Sequence, residues 1–102
     1  MQRIRRPLLK GNLTHFGLVL YVREMKRLLK DCRTCLDVGC GNCSPTCYID
    51  FQYIAGVDGH VEALAQAQNN LTHHDYVLAS AQSIGKLFSP KQFDCCVALD
   101  LV

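Results

Sequence analysis

Four short apolar runs, at residues 34–38, 53–57, 76–79 and 95–99, constrain this chain more than any other feature, because none of them alternates polar with apolar side chains. A strand with one wet face alternates, whereas an uninterrupted apolar run belongs to a strand covered on both sides, as in a parallel sheet. Gly39 halts the first run, and Ser44-Pro45 then opens a short helix, with proline at an early position where its missing N–H costs nothing. Asp58-Gly59 ends the second run. Strong helix formers (Glu62, Ala63, Leu64, Ala65, Ala67) fill 60–69, which stops at Asn69-Asn70. The stretch before the fourth run reads as irregular or briefly helical and carries the turn signal Ser89-Pro90.

Ahead of the first run, Thr14 is a plausible cap. Apolar residues then recur at Leu18, Tyr21, Val22, Met25, Leu28 and Leu29, in gaps of three and four, with Arg23, Lys26, Arg27 and Lys30 mostly opposite. That spacing predicts an amphipathic helix over 14–30, packed on a core. The expected fold is therefore α/β: a partial doubly wound (Rossmann-like) parallel sheet of about four strands with helices on both faces. Residues 1–13 read as a basic arm, and 14–102 as one unit.

Composition narrows the function. At 102 residues the chain holds one small domain, and 49% hydrophobic with 20% charged residues is a globular balance that argues against disorder. The formal charge of +2 gives no strong nucleic-acid signature, and no apolar stretch is long enough to span a bilayer. Seven cysteines, an odd number with no secretory signal ahead of them, fit a reduced intracellular setting rather than a disulfide scaffold. Cytoplasm is the expected compartment. The basic start, with Arg3, Arg5, Arg6 and Lys10 and no acid before Glu24, keeps a mitochondrial address as the alternative.

Ligands of open α/β sheets bind beyond the carboxyl ends of the strands. Three features lie there: Asp37-Val38-Gly39-Cys40-Gly41 after the first strand, Asp58 after the second, and Asp100 after the fourth. Glycines let the backbone turn tightly and approach a ligand, and an acid in the position of Asp58 can accept hydrogen bonds from two ribose hydroxyls. Glycine and acid spacing alone also fits a dinucleotide fold, so a nicotinamide-dependent oxidoreductase is one reading. Asp37 weighs against it, because a carboxylate beside the loop repels a pyrophosphate and attracts the ammonium of an amino-acid-like ligand. Asp37 could instead cap nearby backbone amides. Gly85-Lys86 is followed by Leu87, so no phosphate-binding P-loop is present.

With these elements in this order, residues 34–102 resemble the class I, S-adenosylmethionine-dependent methyltransferases. The residues 37–41 are similar to that family's first motif, Gly56-Val57-Asp58 to its second-strand acid, and Phe93-Asp94 through Asp100-Leu101 to its fourth-strand motif. The resemblance implies S-adenosyl-L-methionine as cofactor, with Gly39, Cys40 and Gly41 against its methionine part. Asp37 would hold its ammonium directly or through water, Asp58 would grip its ribose, and Gly59 and His60 would lie beside its adenine. In the family an acid often follows the third strand to meet the adenine amino group; Ser80 occupies that place here, followed by Ala81, and offers a neutral partner. The usual third loop glycine is Cys43. Asp100 would lie near the transferring methyl group or have a structural role. No catalytic base can be named, and the methyl acceptor is unidentified.

The family's sheet continues through further strands, so the resemblance also implies that 14–102 is the N-terminal portion of a methyltransferase domain. On that reading C-terminal strands or a partner would cover the apolar edge of the fourth strand. The alternative is a non-catalytic α/β remnant that serves as an interaction module. Two further clusters invite a metal-ligand reading. Cys32-x-x-Cys35 and Cys40-x-x-Cys43 are separated by only four residues, whereas paired zinc knuckles need ~15–20, so no metal site is assigned. His73-His74-Asp75 reads as a solvated turn before the third strand.

Overall fold

A computed structural model describes residues 13–99 of the protein. Helix α1 (Leu13–Leu28) leads into strand β1 (Thr34–Val38), and a 3-10 turn (Pro45–Tyr48) connects it to β2 (Tyr53–Asp58). Helix α2 (Val61–Asn69) leads to β3 (Asp75–Leu78), and a second 3-10 turn (Ala81–Ser83) runs into the one-turn helix α3 (Ile84–Leu87) before β4 (Cys95–Val97). All pairings are parallel, in the order β3-β2-β1-β4, so the expected open α/β sheet is the architecture observed.

The two central strands are the most deeply covered, which is why their sequences show no polar alternation. On one face Cys35 and Ile54 join Met25 of α1 with Ile49 and Phe51 from the connection between β1 and β2. On the other, Leu36, Ala55 and Val57 pack with Ile84, Phe88 and Phe93. Ser44 caps the first 3-10 turn, its side chain accepting from the Thr46 amide, with Pro45 just inside. At the far edge, Asp94 ties β4 to β1. Its carboxylate accepts from the Arg33 and Thr34 amides at 2.8 and 3.1 Å, while its own amide donates to Thr34 Oγ1 at 2.9 Å.

Several boundaries differ from the sequence reading, each for a local reason. The apolar stripe of α1 is narrower than its periodicity implies: Val22 and Met25 are buried and Leu29 packs on the core, but Tyr21 and Leu28 are exposed. Strand β3 begins earlier, at Asp75, where the residue pairs with Ala55 and its carboxylate accepts the Tyr53 hydroxyl at 2.6 Å. Strand β4 stops at Val97, the last residue in register with β1.

Candidate functional site

The turn after β1 is built on two left-handed residues, Gly39 at φ +70° and Gly41 at φ +61°, a conformation that a Cβ penalises. The Gly39 and Cys40 amides both donate to Val57 O, at 2.7 and 3.1 Å, which folds the turn back over β2. Cys43, the family's missing third glycine, is not among the residues of positive φ, so the turn needs no glycine there. Its thiol is exposed, whereas that of Cys40 is buried. Burial pushes the Cys40 thiol up to about 12, and the nearby charges of Asp37 and Asp58 add to the effect.

Asp58, at the end of β2, anchors the turn from the other side. One oxygen accepts the Gly41 amide at 2.8 Å; the other accepts the His60 amide at 2.8 Å and lies 3.2 Å from His60 Nδ1. Burial works to raise its pKa, but the amides of His60 and Gly41, then the His60 ring, prevail and hold the carboxyl below its usual range. The His60 side chain is 89% exposed.

A cavity of about 250 Å³ opens between these strand ends, lined by Val38, Gly39, Val57, Asp58, Gly59, His60, Ala79, Ser80 and Ala81. Six residues named from the sequence (Gly39, Asp58, Gly59, His60, Ser80, Ala81) thus converge on one space at the carboxyl ends of β1, β2 and β3. Ser80 Oγ lies 3.0 Å from Ser83 Oγ, so the rim hydroxyl already has a partner. Cys40 and Gly41 shape the turn without lining the cavity. Asp100 lies outside the described residues.

Asp37 sits beneath the turn, only 1% exposed. Its Oδ2 accepts the Thr46 hydroxyl at 2.8 Å and lies 2.8 Å from His73 Nε2. The reading of 73–75 as a solvated turn is therefore corrected: His73 has no exposed surface, and His74 Nδ1 accepts the Ile54 amide at 2.9 Å. Burial lowers the His74 pKa, consistent with a neutral acceptor ring. The signal that could have revealed His73 is Gly56, opposite Asp37 in register, since glycine inside a strand often marks a close approach. Among the described residues, no group of three or more His, Cys, Asp and Glu is arranged to hold a metal ion.

Residues 36–102 match the family model described as "Methyltransferase domain". The chain belongs to that family, whose methyl donor is S-adenosylmethionine. No curated protein sequence matches significantly. Among solved structures, the SAM-bound amino pentose methyltransferase CalS10 from Micromonospora echinaspora has a TM-score of 0.58 at 23% identity, covering 87% of this chain and 37% of its own. The methyltransferase domain of bacterial CtHen1 has a TM-score of 0.58 at 20% identity, covering 88% and 52%. The plantazolicin methyltransferase BamL, crystallised with SAH, has a TM-score of 0.53 at 18% identity, covering 81% and 39%. These likenesses establish the fold, and the chain spans between about a third and a half of those proteins.

Proposed function

We propose that the cavity beside Asp58 binds S-adenosylmethionine and that the chain is the cofactor-binding part of a methyltransferase acting on an unidentified acceptor. The observation that carries this reading is the convergence of the glycine turn, Asp58 and the 79–81 rim on one cavity. The residues fit the cofactor. Val38, Val57 and Ala79 give apolar walls for a flat base, and Gly39 and Gly59 present backbone without side chains. An ionised carboxylate has about four acceptor sites. In Asp58 the Gly41 amide, the His60 amide and the His60 ring occupy three of them. The open site, with the one released when the exposed His60 ring turns away, matches the two hydroxyls of a ribose.

Bound there, the cofactor would supply an already activated methyl group. The protein's part is then to orient and to exclude water rather than to provide a strong base. Ser80 can bond the adenine edge as a neutral partner, and Asp37 supplies negative charge behind the turn. Residues 14–102 form the N-terminal portion of the domain on this reading, residues 1–13 a basic arm, and Asp100 a residue near the methyl group or a structural one. No described helix is long and apolar enough to cross a membrane. Seven cysteines, an odd number, favour a reducing intracellular compartment, with cytoplasm ahead of mitochondrion.

Calorimetric titration of the chain with S-adenosylhomocysteine tests the reading. Saturable heat that S-adenosylmethionine competes away is expected. No heat would favour the interaction-module alternative, and NAD binding that Asp58→Ala abolishes would favour an oxidoreductase.

A further inference from the structure

Three of the seven thiols, those of Cys32, Cys35 and Cys95, gather near the amino ends of β1 and β4, at the opposite end of the strands from the cavity. Cys35 and Cys95 are partners in register across these parallel strands, so their side chains share one face, whereas Cys96 points to the other. Cys32 and Cys95 both pack against the buried cluster that contains Cys35. The Cys95 thiol is in hydrogen-bonding contact with the thiols of Cys32 and Cys35, and it donates to Thr34 O at 3.7 Å. That holds it over the segment that joins the other two. Exposure then separates its neighbours. Cys35 is fully buried, whereas Cys32, like Cys95, is partly open to solvent.

We propose that Cys32 and Cys95 form a reversible disulfide on exposure to hydrogen peroxide, and that this bridge clamps the edge strand β4 to the start of β1. Burial, then the contact with Cys32, pushes the Cys95 thiol up to about 11, so it stays protonated near neutral pH and is a poor first target. Cys32 reacts first. Its sulfur attacks one peroxide oxygen, the O–O bond breaks, and a sulfenic acid and one water result. The Cys95 sulfur then attacks the Cys32 sulfur: the S–S bond forms, the S–O bond breaks, and the departing hydroxide takes the Cys95 proton as a second water. Two thiols have lost two hydrogens and two electrons, and one hydrogen peroxide has become two waters. The bridge closes the chain from 32 to 95, the stretch that carries β1, β2, β3 and every residue of the cavity. Closing so long a loop removes much freedom from the unfolded chain. A transient bond of this kind suits a reducing compartment, where disulfides act as sensors.

The dilute chain is treated with hydrogen peroxide at neutral pH, alkylated and digested with trypsin. Arg33 separates Cys32 from Cys35, and Lys91 precedes Cys95, so the three thiols fall in different peptides. Mass spectrometry of the wild type should find the peptide 31–33 joined to the one that begins at Gln92, two hydrogens lighter than their sum, with fragmentation placing the bond at Cys95. Dithiothreitol should release it. The oxidised chain should unfold at a higher denaturant midpoint than the reduced chain, and dithiothreitol should reverse the rise. C32S and C95S should lose both the bridge and the rise. A bridge to Cys35, linkage confined to Cys43 or Cys96, oxidation that stops at sulfinic acid, or a mapped Cys32–Cys95 bridge with no rise in midpoint would overturn the proposal. The mapping uses the wild type alone, so it decides the matter even where a variant fails to fold.

Discussion

The imidazole of His73 lies across the α-carbon of Gly56, the residue that faces Asp37 in the adjoining strand. A side chain on Gly56 would keep the ring from reaching Asp37. The same empty position also makes room for Cys40 Sγ, so one glycine in β2 admits both a buried ring and the underside of the ligand-facing turn.

Gly56→Ala should therefore destabilise the fold. A Cβ there would stand 2.9 Å from Cys40 Sγ and 3.0 Å from His73 Cδ2, with no flexible chain end to give way. Overpacking of this kind costs about 1–3 kcal/mol. A lower denaturant midpoint with an unchanged slope would register it, and an unchanged midpoint would mean the ring has room to move.

Asp58→Ala and Gly39→Val should each abolish binding of S-adenosylhomocysteine in calorimetry. The first removes the acceptor shared by the Gly41 and His60 amides. The second places a β-branched residue at φ +70°, where strain runs to about 1–3 kcal/mol. Retained affinity in both variants would count against the site.

Acid should weaken the fold in two windows. Burial holds the His74 pKa below its unfolded value, so the bond from the Ile54 amide stabilises the protein above ~6.5 and is lost as pH falls from there through the folded pKa. The amides of Arg33 and Thr34 hold Asp94 low, and those of His60 and Gly41 hold Asp58 low against its burial. Their contribution is complete above ~4 and is lost as pH falls through the lower folded values. Denaturation midpoints across the acid range should show both steps, with His74→Gln removing the first and Asp94→Asn reducing the second.

Thiol labelling should divide the cysteines. Cys43 and Cys96 are exposed, whereas burial raises the thiols of Cys35 and Cys40, the latter to about 12, and Cys95 to about 11. Iodoacetamide at mildly alkaline pH should modify Cys43 and Cys96 first, as read by mass spectrometry. Cys35 and Cys40 should react only after denaturation, since the thiolate is the nucleophile.

The sheet was legible because its signals are local. An apolar run stopped by Gly39 or Asp58 announces a strand end, and strand ends are where ligands of such sheets bind. Gly39 and Asp58 follow from that rule, whereas Gly59, His60, Ser80 and Ala81 follow from the resemblance to the methyltransferase family. What stayed hidden depends on pairing across the chain. His73 lies 36 positions from Asp37, and in a His-His-Asp sequence its polarity looks like solvation until β2 presents a glycine beneath it. Thr46 reads as one more residue of a short turn until its hydroxyl is seen on the same carboxylate. Likewise, the helical period places Tyr21 and Leu28 with Val22 and Met25, but the width of the surface below decides which are covered.

The turn after β1 is fastened at Val57 O, at the Asp58 carboxylate and, through Thr46 and Asp37, at the 3-10 turn that follows. Its main chain is held in shape before any small molecule arrives, so docking should cost little conformational freedom in this segment. Association there should resemble a key entering a rigid lock more than a loop closing over a guest.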